Sequence, residues 1–75
     1  MTPLALGSRV RAERKRLGLR QDQLAASAGV GLRFLVDLER GKPTVRLDKV
    51  LSVLEALGLT LDVRSSDDSA GERET

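Results

Sequence analysis

The feature that most constrains this chain is the run from Leu17 to Lys42, LGLRQDQLAASAGVGLRFLVDLERGK, in which two short helical patterns flank a glycine. A helix opening near Gln21 places Leu24, Ala25 and Ala28 on one face, and the small Ala25 lets a second helix cross closely over it. Gly29 ends the first of these helices, because glycine reaches left-handed backbone angles at little steric cost. The second runs from about Gly31 to Arg40. Its Leu35 and Leu38, three residues apart, face the first helix, so Leu32, Arg33, Val36, Asp37 and Arg40 point elsewhere. Gly41 supplies a left-handed cap after it, and Pro43 cannot continue a helix.

Two further helices bracket this pair. Thr2-Pro3 reads as an N-cap followed by proline at the first helical position, with Leu6, Val10 and Leu17 continuing an apolar stripe up to Gly18. Arg9, Arg11, Lys15 and Arg16 lie on its outward faces, available to phosphates or simply to water. After the central pair, Thr44 reads as the cap of a last helix carrying Leu47, Val50, Leu51, Leu54 and Leu57 and closed by Gly58. Leu59-Thr-Leu-Asp-Val-Arg64 then alternates strictly between apolar and polar, the signature of a strand with one buried face. A lone strand finds no ladder partner in its own subunit. A core this small supplies only about 3 to 5 kcal/mol without a further staple. Both arguments point to a homodimer in which residues 59 to 64 pair with a two-fold mate through Leu59, Leu61 and Val63; a frayed helical extension or irregular coil is the alternative. The expected fold is all-α, a four-helix domain over residues 1–58 with one C-terminal β-strand at 59–64 pairing across the dimer. Ser, Asp, Gly and Glu dominate residues 65–75, which are expected to form a disordered acidic tail.

Composition removes several classes of function. There is no cysteine and no histidine, which excludes disulfides, thiol nucleophiles and imidazole bases and leaves almost no route to a zinc site. No carboxylates or lysines stand in a spacing that suggests paired acid-base work, so neither an enzyme nor a cofactor is expected. No apolar run is long enough for a membrane span, and the start of the chain lacks the basic, apolar and small-residue segments of a secretory leader, so a cytoplasmic protein is expected. Charge is unevenly distributed. Residues 1 to 64 hold 12 Lys or Arg against 7 Asp or Glu, a net +5, whereas residues 65 to 75 hold one Arg against 4 acids, a net −3. A basic globular part fits a nucleic-acid partner, with a merely solvated surface as the plain alternative.

Two short helices crossing about a glycine-bearing turn are the layout with which DNA readers set one helix into the major groove. Arg14, Gly18-Leu19, Gln21, Leu24-Ala25, Gly29, Leu38-Glu39 and Gly41 make residues 6 to 57 resemble the Xre, or Cro/cI-type (lambda repressor-like), family of helix-turn-helix repressors. More narrowly, Leu38-Glu-Arg-Gly-Lys-Pro-Thr-Val-Arg-Leu-Asp48 and Leu54-Glu-Ala-Leu-Gly-Leu-Thr-Leu-Asp-Val63 look like the HipB-type antitoxins, which couple this domain to a short C-terminal strand. The resemblance implies that Gly31, Leu32, Arg33 and Asp37 face the major groove, with Arg33 reading a base, most simply guanine through N7 and O6. It implies that Gln21 anchors a phosphate at the start of its helix, where the dipole and open N–H groups favour an anion. Arg40 and Lys42 fit phosphate contacts, and Arg14 and Glu39 are implied to pair and brace the reading helix.

Two positions depart from the family. Arg20 stands where Ser or Thr usually caps the second helix and cannot accept the capping bond, though it gains a potential phosphate contact; Gly31 stands where Ser or Thr caps the third, at a cost of only a few tenths of a kcal/mol. Phe34, the single aromatic residue, reads as core rather than as a stacking platform, which disfavours single-strand and RNA binding. The expected partners are a double-stranded operator, which would hold the protein at the nucleoid, a second copy of the chain, and a HipA-like kinase toxin that the antitoxin would neutralise while repressing its own operon. A stand-alone repressor and a protein-interaction module without DNA binding are the rival readings.

Overall fold

The computed structural model describes residues 1–66 and contains four helices in these: α1 (Pro3–Arg16), α2 (Gln21–Ala28), α3 (Leu32–Glu39) and α4 (Leu47–Ala56). The Thr2 hydroxyl accepts the Ala5 N–H at 3.0 Å while Pro3 fills a position that needs no donor, so α1 starts where the sequence says. Gly29, at φ +71°, closes α2, and only three residues separate it from α3. At the end of α3 the Gly41 N–H donates to the Leu38 carbonyl and the Lys42 N–H to the Asp37 carbonyl, both at 3.0 Å, with Gly41 at φ +85°.

Val10, Leu24, Ala25, Leu35, Leu38, Val50, Val53, Leu54 and Leu57 form the core, where α3 packs on both α1 and α2, and α2 packs on α4. The pairing of α1 with α3 depends on Gly7. A Cβ there would overlap the Leu38 carbonyl oxygen and sit 2.9 Å from that of Glu39, so only glycine permits this approach. Phe34 is half-buried against the core, with the Lys49 ammonium 5.7 Å from its ring centroid.

Three expectations need correction. Leu17 is 43% exposed and does not extend the stripe of α1; it is the residue just past the helix, and the buried positions beyond Val10 are Glu13 and Arg14. Thr44 does not cap α4. Val45 turns inward against the core and the chain enters the helix only after Arg46, the actual N-cap, two residues beyond Thr44. On α4 it is Val53 that joins the core, while Leu47 and Leu51 stay exposed.

Past α4, the Leu59 N–H donates to the Leu54 carbonyl at 2.8 Å and the Leu59 side chain folds onto the core. Residues 59–65 carry no regular secondary structure, so the expected strand is not formed in the single chain, where it has no ladder partner. Leu61 is 45% and Val63 88% exposed. The expected acidic tail lies outside the described residues apart from Ser65 and Ser66. Among the described residues no helix is long and apolar enough to cross a membrane, and no group of acidic side chains is placed to hold a metal ion.

Candidate nucleic-acid interface

Behind α3 lies a polar cluster with nearly every group satisfied. Arg14, from α1, presents its guanidinium as a fork to Glu39 at the end of α3, with Nε 2.7 Å from Oε2 and Nη2 3.0 Å from Oε1. Its remaining nitrogen, Nη1, donates to the Leu19 carbonyl at 2.8 Å in the turn before α2. Glu39 Oε1 also accepts from Gln21 Nε2 at 3.1 Å, which brings the first residue of α2 into the same group. Both Arg14 and Glu39 are buried, and a two-pronged charge-assisted pair with its further donors placed is the arrangement that tolerates burial. The cluster therefore fixes α1, α2 and α3 against one another at one end of α3.

The other side of α3 faces solvent. Gly31, the N-cap, makes no side-chain cap bond, and Leu32 and Arg33 follow it into water, Arg33 being 76% exposed. One turn on, Asp37 stands 2.9 Å from Arg33 Nη2 through Oδ1 and 3.7 Å from Lys42 Nζ through Oδ2. Arg40 and Lys42 are exposed just beyond the helix. The structure thus brings Gly31, Leu32, Arg33, Asp37, Arg40 and Lys42 to α3 and its C-terminal turn, with Gln21 opening α2.

Arg20 precedes α2 and supplies no capping atom. Half of a capping box forms without it, since the Arg20 N–H donates to Gln23 Oε1 at 2.8 Å. The Arg20 side chain turns instead to Asp22, 3.0 Å away, and this guanidinium holds the Asp22 carboxyl below its ordinary range. An anion at the start of α2 is therefore already partly matched by a neighbouring cation.

Three groupings were not read from the sequence. Glu13, a buried carboxylate of α1, takes Arg16 three residues on and Arg9 four residues before, and these two guanidiniums, Arg16 foremost, hold its pKa down to about 2. The spacing was the available signal, because residues three and four apart share a helix face. Arg11 and Lys15 make no ion pair among the described residues and are the two cations of α1 left to solvent. The Arg33–Asp37–Lys42 triad had the same signal, Arg33 and Asp37 being one turn apart. The Gln21–Glu39 bond had none, since it joins residues 18 apart in the chain.

The chain is similar to known proteins along most of its length. A model of the helix-turn-helix family matches residues 10–63, which takes in the last part of α1, all of α2, α3 and α4, and most of the segment that follows. An uncharacterised HTH-type transcriptional regulator, y4mF, of Sinorhizobium fredii (strain NBRC 101917 / NGR234) is 58% identical over 62 residues, covering 83% of this chain and 82% of that protein. With four helices in the order and packing described, a glycine-closed turn between α2 and α3, and a family match over most of its length, this chain belongs to the Xre-like helix-turn-helix family.

Proposed function

We propose that the protein is a transcriptional repressor that binds double-stranded DNA with α3 in the major groove. The observation that carries this reading is the two-sidedness of α3: its rear is clamped by Arg14, Glu39 and Gln21, while its N-terminal end offers Leu32 and Arg33 to solvent. Base edges are contacted by the N-terminal part of such a helix, and a helix that reads them has to be held from behind. In this reading Gly31, Leu32, Arg33 and Asp37 line the groove, Arg33 meeting guanine and Leu32 a thymine methyl. Arg20, Gln21, Arg40 and Lys42 contact phosphates, which set register without specifying sequence. The regulatory role named for the similar Sinorhizobium fredii protein supports the same assignment.

The repressor acts as a homodimer in which residues 59–64 pair as strands through Leu59, Leu61 and Val63. Its operator is then palindromic, with half-sites about 10 to 10.5 base pairs apart or a multiple of that distance. The resemblance of residues 38–48 and 54–63 to HipB-type antitoxins supports a further role, autorepression of an operon that also encodes a HipA-like kinase toxin, with the antitoxin neutralising the kinase by direct contact.

Selection of bound duplexes from a random library, followed by fluorescence anisotropy on the selected site, tests the DNA-reading role. Arg33→Ala should lose about 1 to 3 kcal/mol at one base position per half-site and little elsewhere. Flat binding curves on every duplex, even at low salt, would leave an interaction module without DNA binding instead. The antitoxin role is tested by isolating the protein from its host after nuclease treatment: a co-purifying kinase supports it, and recovery of the chain alone points to a stand-alone repressor.

A further inference from the structure

The geometry points to Asp37 as the positioning residue for Arg33, an anion that orients the guanidinium toward a base and withholds it from the phosphate backbone. The inference rests on α3 reading DNA through Arg33. Asp37 is 19% exposed against 76% for Arg33, so its carboxylate is the better-ordered and less screened member of the pair. A cation stands by each carboxylate oxygen, Arg33 Nη2 2.9 Å from Oδ1 and, more loosely, Lys42 Nζ 3.7 Å from Oδ2. The Lys42 backbone is fixed beside it, its N–H donating to the Asp37 carbonyl at 3.0 Å.

The guanidinium retains unused donors. It has five N–H groups, and the contact from Nη2 to Asp37 leaves Nη1 and a second Nη2 hydrogen to meet guanine O6 and N7 together. The ion pair therefore persists in the specific complex. It limits the rotamers of a long exposed side chain before binding and offsets part of the charge with which Arg33 would hold any phosphate. Discrimination rises on both counts: the specific contact is prepared and the non-specific one is weakened.

The test compares the full-length wild type, D37N, D37E, R33A and the R33A/D37N pair by fluorescence anisotropy on the selected duplex and on a scrambled one over a range of salt. Base preference is measured in parallel by substituting each base pair of the half-site. D37N should bind scrambled DNA several-fold more tightly, with a log–log salt slope steeper by about 1. Its preference for guanine at the Arg33 base pair should fall toward none. D37E keeps the charge but displaces the carboxylate by one methylene, so it should match the wild type on scrambled DNA and still lose guanine preference. R33A/D37N should show the base preference of R33A alone. The inference is overturned if D37N binds both duplexes more tightly by the same factor with guanine preference intact, which would make Asp37 a charge only. It is equally overturned if D37N changes preference at a neighbouring base pair and leaves that of Arg33 untouched, which would make Asp37 a reader itself. Failure of the underlying reading looks different, because it appears before any Asp37 variant is compared, as a wild type that does not discriminate or an R33A that loses nothing.

Discussion

Glu39 accepts three hydrogen bonds in a buried site, and removing its carboxylate would strand the Arg14 guanidinium there without a counter-charge. Breaking one partner of a buried pair costs about 3 to 5 kcal/mol, comparable with everything a core of this size supplies. Glu39→Ala should accordingly show no folded baseline in urea denaturation at pH 7. Replacing both members with apolar residues of similar volume, Arg14→Met with Glu39→Leu, should be tolerated far better, because it leaves no unpaired charge behind. Glu13 makes a separate prediction for acid. Its folded pKa of about 2 lies below the ordinary carboxylate value of 4.5, so its contribution is complete above that ordinary value and disappears as pH falls through about 2. Thermal unfolding followed between pH 5 and 2 should show a midpoint that falls with acid, and Glu13→Gln should make the fall shallower. Asp22 and Asp48, held down by Arg20 and Arg46, would add to the slope in the same direction.

At the level of the helix, α2 is the element whose start can be improved. Arg20→Ser would add the oxygen that accepts the Gln23 N–H, completing a box whose other half exists already. It would give up an exposed ion pair with Asp22, worth little. A gain of about 0.5 to 1 kcal/mol in urea denaturation is expected. If Arg20 contacts a phosphate, the same variant should also bind DNA with a salt slope reduced by about 1, so stability and affinity would move in opposite directions. The helix limits were legible where a residue acts alone: Thr2-Pro3, Gly29 and Gly41 impose their geometry whatever surrounds them. Thr44 misled because a capping residue works only if the chain turns there, and the inward pull on Val45 delays the turn. Gly7 went unread for a similar reason. A glycine inside a helix looks like lost helix propensity until the helix crossing it is known. The faces of α3 followed from periodicity, but what lies behind it did not: the Arg14–Glu39 pairing came from resemblance, and the Gln21 bond depends on how three elements meet.

For the whole molecule, one of the apolar surfaces left uncovered lies at the end of α4 and in the segment after it. Leu51, Leu54, Glu55, Gly58, Leu59, Thr60 and Leu61 line a groove of about 510 Å³, and Val63 lies nearby in sequence and exposed. Leu61→Asp puts a charge on this surface without entering the core, so it should leave the helical circular dichroism spectrum unchanged and convert the proposed dimer to a monomer in analytical ultracentrifugation. A variant that sediments as the wild type does would move the interface elsewhere. The cluster of Arg14, Glu39 and Gln21 has a consequence at this scale as well. It joins α3, the proposed reading helix, to the residue proposed to hold the backbone, so under that proposal the distance between base contact and phosphate contact is set by the protein. A gauge with fixed jaws selects by fit: under the proposed mode of binding, base pairs that no side chain touches would still be chosen for the groove width and stiffness they give the duplex.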